Sequence, residues 1–256
     1  MDFELTAIPA FRDNYIWLLS RKRMALVVDP GDAAPVRETL SRHGLRLAAV
    51  LVTHHHADHA GGAAALALEY ACPVYGPADE AIAAVTDPVR EGDQLAIRAL
   101  DARFEVLDIP GHTAGHVAFS GNNIVFCGDT LFSAGCGRLF EGSAAQMSHS
   151  LAKLAALEDQ TAVCCGHEYT LANLRFAQAL EPGNPDIMAY AEEARVLRER
   201  AIPTLPSRIG RERRVNPFLR CSEPAVMAAA ARRAGHEIAD PVEVFAVIRS
   251  WKDNFT

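Results

Sequence analysis

The segment Thr53-His54-His55-His56-Ala57-Asp58-His59 places four imidazoles and a carboxylate within seven residues. It follows Ala48–Thr53, an apolar run enriched in Val and Leu that reads as a strand. In extended chain His54 and His56 share one side and His55 takes the other. The chain then turns into a helix whose start carries Asp58 and His59. One short stretch thus offers two pairs of metal ligands, His54 with His56 and Asp58 with His59. Three further candidates stand in equivalent places. His112 follows the alternating run Phe104–Ile109, Asp129 follows Ile124–Cys127, and His167 follows Ala162–Cys165. Strand ends are where α/β folds gather functional groups, and the glycines at 111, 128 and 166 let the backbone bend there.

The chemistry these groups can do is metal chemistry. Five imidazoles and two carboxylates, with no thiolate among them, suit Zn²⁺ and also accept Fe or Mn. Seven ligands exceed the four that one tetrahedral ion needs, so the set predicts two divalent ions, Zn²⁺ first, and an open hydrolytic site. The other histidines read as structural: His43, His149, His236 and, within the run, His55. His116 is a candidate to support His112 from behind.

Two kinds of element must position these residues. Up to about residue 165 the chain reads as short strands separated by helices. Met24–Val28 is a strand stopped by the turn Asp29-Pro30-Gly31, and Val117–Ser120 pairs with Ile124–Cys127 through Gly121-Asn122-Asn123. Gly62–Tyr70 and Ala144–Leu157 are helices rich in Ala and Leu. After about residue 170 strand signals stop. Leu171–Leu180, Pro185–Arg200, Glu223–Ala234 and Pro241–Asp253 are helical, with Asn184, Ser222 and Asp240 as N-caps ahead of Pro185, Pro224 and Pro241. Arg208, Arg211, Arg213 and Arg214 form a basic loop on the surface. The class is α/β with a following all-helical domain, divided at 1–168 and 169–256.

Composition narrows the function. Residues 1–165 carry 12 Lys+Arg against 20 Asp+Glu, while 166–256 carry 13 against 12. The acidic part is poorly matched to a nucleic-acid backbone. No basic region followed by a long apolar run opens the chain, and no apolar stretch is long enough to span a membrane, so neither export nor a membrane partner is expected. The six cysteines form no C-x-x-C pair and read as reduced, mostly buried thiols of a cytoplasmic protein. A monomer is expected.

At THHHADH, GHT (111–113), GDT (128–130) and the later Gly166-His167, the chain resembles the metallo-β-lactamase superfamily. That resemblance implies an αββα sandwich. It also implies that Asp129 bridges two ions, one held by His54, His56 and His112 and the other by Asp58, His59 and His167. Further motifs resemble the glyoxalase II (hydroxyacylglutathione hydrolase) family. They are Phe11-Arg12-Asp13-Asn14-Tyr15-Ile16-Trp17, Gly128–Phe132 with Gly135–Arg138, Cys165–Thr170, and Asn216–Arg220. They span nearly the whole chain, including the helical domain. By this resemblance Arg138 and Tyr169 contact glutathione, and Arg249 and Lys252, three apart on one helix face, hold its glycine carboxylate. Phe140 stands where the family often has tyrosine, which removes one hydroxyl contact.

The implied reaction converts S-lactoylglutathione to glutathione and D-lactate, the second step of methylglyoxal detoxification. Hydroxide held by the metal pair would attack the thioester carbonyl, with Asp58 orienting it or taking its proton. A cysteine-type thiol has a pKa of about 8.5, so it leaves without a strong general acid. A β-lactam nitrogen fits less well. A one-iron sulfur dioxygenase, a lactonase and a metal-stabilised scaffold are the competing readings.

Overall fold

The computed structural model describes residues 3–255. It separates into two compact units. Unit 1 holds residues 1–108, 113–128 and 164–168, and unit 2 holds 109–112, 129–163 and 169–256. The segment 109–112 and the whole of 129–163 therefore group with the C-terminal helices.

In unit 1, six strands form one sheet in chain order: β1 (Glu4–Ala10), β2 (Asn14–Arg21), β3 (Met24–Val28), β4 (Arg46–Leu51), β5 (Val74–Pro77) and β6 (Asp87–Val89). The first three are antiparallel hairpin neighbours, and β3 to β6 run parallel. Parallel neighbours need crossovers. Between β3 and β4 runs α1 (Ala33–His43), capped by Asp32 at its start and by left-handed Gly44 at its end. Between β4 and β5 lie the one-turn α2 (Ala57–Ala60) and α3 (Ala63–Tyr70). The core under this sheet joins Ile16, Leu18, Val27 and Val50 to Val36 and Leu40 of α1 and Leu66 of α3. A second sheet contains β7 (Gln94–Ile97), β8 (Ala102–Asp108), β9 (Val117–Gly121) and β10 (Ile124–Gly128), antiparallel throughout. These sheets and helices make the αββα metallo-β-lactamase architecture.

Unit 2 begins with the small hairpin β11 (Leu131–Phe132) and β12 (Gly135–Cys136), then α4 (Ala144–Ala155), which starts with a capping box between Ser143 and Gln146. The strand β13 (Ala162–Cys165) pairs its Ala162 and Val163 with β14 (Ser207–Arg208). Helices α5 (Thr170–Leu180), α6 (Pro185–Glu199), α7 (Ile209–Val215), α8 (Pro224–Ala234) and α9 (Pro241–Asp253) complete it. One of their cores packs Leu174 and Ala177 of α5 on Ile187, Tyr190 and Ala194 of α6.

Three expectations need correction. The basic loop is the strand–helix pair β14–α7, because its arginines reach partners: Arg211 pairs Glu193, Arg213 pairs Asp159, and Arg214 lies 3.4 Å from Asp186. The cap of α8 is Glu223, which makes no side-chain cap bond, rather than Ser222. Asn184 and Asp240 do cap α6 and α9. β1 and β2 carry no clear period-2 signal and were not anticipated; β2 is buried along nearly its whole length, so polar alternation is absent.

One buried carboxylate ties unit 2 together. Glu212 of α7 accepts from Ser133 Oγ (3.0 Å), Ser207 Oγ, the Ala134 amide (2.7 Å) and Asn216 Nδ2 (3.1 Å). Burial pushes its carboxyl pKa up, and these four donors oppose that shift. Asn216 Nδ2 also reaches the carbonyls of Phe132 and Gly135, so both residues hold the β11–β12 hairpin. Glu212→Ala removes the shared acceptor of four buried donors and is expected to lower the melting temperature by roughly 5–10 °C. Calorimetry showing a change of under about 2 °C would remove Glu212 from this role.

Candidate metal centre

The loop after β4 delivers His54 and His56, α2 delivers Asp58 and His59, and the bend after β13 delivers His167, which bridges Asn14 at the start of β2. His54, His59 and His167 are buried, while His56 and Asp58 are half-buried. Two ligand groupings occur inside unit 1. Asp58, His59 and His167 bring their ligand atoms within 4.8 Å of one another, as do Asp29, His54 and His59. His54 Nε2 faces His56 Nδ1 at 3.2 Å, as the alternation of the run requires.

Proton positions follow from the partners. Asp29 Oδ2 accepts the Thr53 hydroxyl at 2.8 Å, so Thr53 Oγ1 is left to accept from His54 Nδ1 at 3.0 Å. His59 Nδ1 donates to Asp29 Oδ2 at 3.0 Å, and His167 Nδ1 donates to Asp13 Oδ1 at 2.9 Å. In each neutral ring Nε2 then carries a lone pair. Those of His59 and His167 point at Asp58 Oδ2, 3.6 and 3.5 Å away. Asn14 Nδ2 donates to the same oxygen at 2.9 Å and fixes the carboxylate.

Unit 2 repeats the pattern. His112 Nδ1 donates to the Arg138 carbonyl at 2.9 Å, which leaves its Nε2 facing Asp129 Oδ2 at 3.5 Å. Lone pairs set against carboxylates repel one another unless a cation lies among them. The donor set therefore fits divalent ions, and the outer acceptors are the partners that orient metal-binding histidines.

Asp13, Asp29 and Thr53 are the functional residues that sequence reasoning missed. Asp29-Pro30-Gly31 reads only as a turn and Asp13 only as part of a family motif. The signal that could have found them is a carboxylate at the end of a strand adjacent to a ligand-bearing one. His116 stacks its ring on His54, with centroids 4.5 Å apart and planes at 16°, and so backs His54. Gly128 sits above both, with φ at +46°; a Cβ there would lie 2.3 Å from Thr53 Oγ1 and 2.8 Å from the His116 ring. Only glycine tolerates this conformation and this approach.

The residues expected to hold substrate lie in unit 2. Arg138 is exposed, with Nε 3.6 Å from Asp253, and Phe140 is exposed with its ring 5.2 Å from that of His112. Tyr169 is half-buried at the start of α5, edge-on to Phe132. Arg249 is buried and donates to the Cys136 carbonyl (2.9 Å) and to Asp253 (3.1 Å), with its guanidinium over Phe218. Lys252 is half-buried, donates to the Ala172 carbonyl at 3.2 Å, and lies over the rings of Phe176 and Phe255. Burial, with Arg249, Arg175 and Arg138 nearby, pushes its ammonium down to about 8.

With this geometry established, comparison with known proteins identifies the lineage. The metallo-beta-lactamase superfamily model matches residues 10–167, and the hydroxyacylglutathione hydrolase C-terminus model matches 168–255. Hydroxyacylglutathione hydrolase of Nitrosomonas eutropha is 53% identical over 248 residues, covering 97% of each chain. The chain belongs to the hydroxyacylglutathione hydrolase family. The Pseudomonas aeruginosa member is 52% identical over 98% of this chain and 99% of its own. Among solved structures, ETHE1 from Myxococcus xanthus aligns over the whole of both chains with a TM-score of 0.66 and 25% identity. TTHA1623, crystallised in a di-iron-bound form, covers 84% of this chain and all of its own, with a TM-score of 0.58 and 27% identity.

Asp29 serves His59 directly and His54 through Thr53, so its loss should loosen both rings. Asp29→Ala is expected to weaken zinc binding by about 10–100-fold. Competition against a chromophoric chelator measures it, and unchanged affinity would show that the rings are oriented by packing alone.

Proposed function

We propose that the chain hydrolyses S-(2-hydroxyacyl)glutathione thioesters, S-lactoylglutathione among them, to glutathione and D-lactate. This would be the second step of methylglyoxal detoxification. Full-length identity of about half to hydroxyacylglutathione hydrolases supports the substrate. The observation that carries the chemistry is the array of inward-facing Nε2 lone pairs, each set by an acceptor on its Nδ1. On this reading His54, His56 and His112 would hold one divalent ion and Asp58, His59 and His167 the other, with Asp129 a ligand that could serve both. Zn²⁺ is the first choice and Fe or Mn the alternatives.

Two such ions supply Lewis-acid activation of water and of the thioester carbonyl at neutral pH. The chain's own groups do the rest. Asp58, its Oδ2 held by Asn14, orients the attacking water and takes its proton. The leaving thiol has a pKa near 8.5 and departs as thiolate, so no acid is required of the protein. Residues 1–168 carry the metal chemistry, and 169–256, together with Arg138, the binding of the tripeptide. Arg138, Tyr169 and Lys252 contact glutathione. Arg249 sits deeper, bonded to Cys136 and Asp253, and contributes positive charge beneath Lys252.

Among the described residues no helix is long and apolar enough to cross a membrane. We place the protein in the cytoplasm as a monomer acting on a small-molecule thioester, with no nucleic-acid or membrane partner. Its six free cysteines agree with a reducing compartment.

Metal-replete protein is expected to hydrolyse S-lactoylglutathione with release of free thiol, and chelation to abolish this reversibly. Absence of turnover in protein shown by elemental analysis to hold two ions would overturn the reading. Lys252 adds a pH signature. Protonated, it attracts the glycine carboxylate; above its pKa of about 8 it is neutral. KM should therefore rise as pH passes through about 8, with little change in kcat from this group. Lys252→Ala should raise KM about ten-fold at pH 7, worth about 1.4 kcal/mol, and erase that limb of the profile. An unaltered KM would exclude Lys252 from substrate binding.

A further inference from the structure

A single carboxylate on a loop without metal ligands links the two segments that deliver His54, His56 and His112. Glu80 lies just after β5, half-buried. Its Oε2 accepts the backbone N–H of His55, the residue between His54 and His56. Its Oε1 accepts the Thr113 hydroxyl and, at 3.2 Å, the Gly115 amide. Thr113 directly follows His112, and Gly115 directly precedes His116, whose ring stacks on His54. One oxygen thus serves each segment. Neither segment is regular secondary structure at these points, so neither has a ladder of its own to satisfy these donors. Gly115 is part of the fit, since a Cβ there would lie 2.7 Å from Glu80 Cγ. An ionised carboxylate accepting three donors is among the stronger arrangements available to a side chain.

We infer that Glu80 is a positioning residue for one metal only. It sets the spacing between the His54/His56 loop and the Thr113–Gly115 segment, and hence, on the two-ion reading, the affinity of the ion assigned to His54, His56 and His112. Asp58, His59 and His167 take their orientation from Asn14, Asp29 and Asp13 instead, none of which Glu80 touches in these bonds. The inference rests on the two-ion reading above. Glutamine is the informative replacement because it keeps the size but turns one accepting oxygen into a donor. That donor then faces either the His55 N–H or the Thr113 and Gly115 donors, with no lone pair to offer them.

Zinc alone, titrated into metal-free protein against a chromophoric chelator, should give two steps in the parent. Glu80→Gln should lower the affinity of one step by about 10–100-fold and leave the other unmoved. Thr113→Val, which removes one donor of three, should lower the same step by less. Gly115→Ala should act on it through the displaced carboxylate. If Glu80→Gln does not fold, Thr113→Val carries the test. Two unmoved steps would overturn the inference. So would an equal fall in both steps, which would mark Glu80 as a general staple of the fold. A parent that takes up fewer than two ions would sink the two-ion reading itself, a result distinct from either of these.

Discussion

Four of the five candidate metal-binding histidines have their second ring nitrogen bonded to an acceptor that cannot give the proton back. Asp13 and Asp29 are carboxylates, the Arg138 group is a carbonyl, and Thr53 has already donated its own hydrogen. That constraint chooses the tautomer, aims the ring and leaves a lone pair pointing inward. Four of the five rings are set in this way, and His56 is set by its place opposite His54. Burying so many lone pairs beside carboxylates is unfavourable for the bare chain, since neither partner can donate. On the two-ion reading, a pair of cations among these groups would replace that repulsion with attraction.

The scaffold answers that demand by placing ligands on bends and then fastening the bends. β4, β10 and β13 run apolar and buried to their ends, and β8 alternates buried and exposed residues; after each the chain turns and a candidate ligand follows within four residues. Bends have few ladder bonds of their own, so single carboxylates do the fastening. Asp29 also holds the Thr53 amide at 2.7 Å, Glu80 holds the loops around His55 and Thr113, and Glu212 holds the hairpin between Asp129 and Arg138. Part of the acidic excess in the first 165 residues is spent in this way, on internal donors rather than on solvent. Unit 2 shows the opposite charge logic. Its cations Arg249 and Lys252 lie over aromatic rings with little solvent, which holds Lys252 near the pH at which it can respond to an anion.

What the sequence determined by itself was the identity of the donors and the elements bearing them. Imidazole chemistry belongs to the residue, and the spacing of His54, His56, Asp58 and His59 is local, so both are visible in a linear string. The same holds for α4, α6 and α9, whose caps are local signals. What only the tertiary structure decided was which acceptor serves each ring, and those pairs are long-range. Asp13 meets His167 across 154 residues, Asp29 meets His59 across 30, and Glu80 meets Thr113 across 33. An aspartate at a turn looks alike in sequence whether it faces water or an imidazole. The burial of Arg249, the stacking of His116 on His54 and the helix hidden in the 209–215 arginine run are likewise products of packing. A side chain's partners depend on where the chain returns, and local periodicity does not record that.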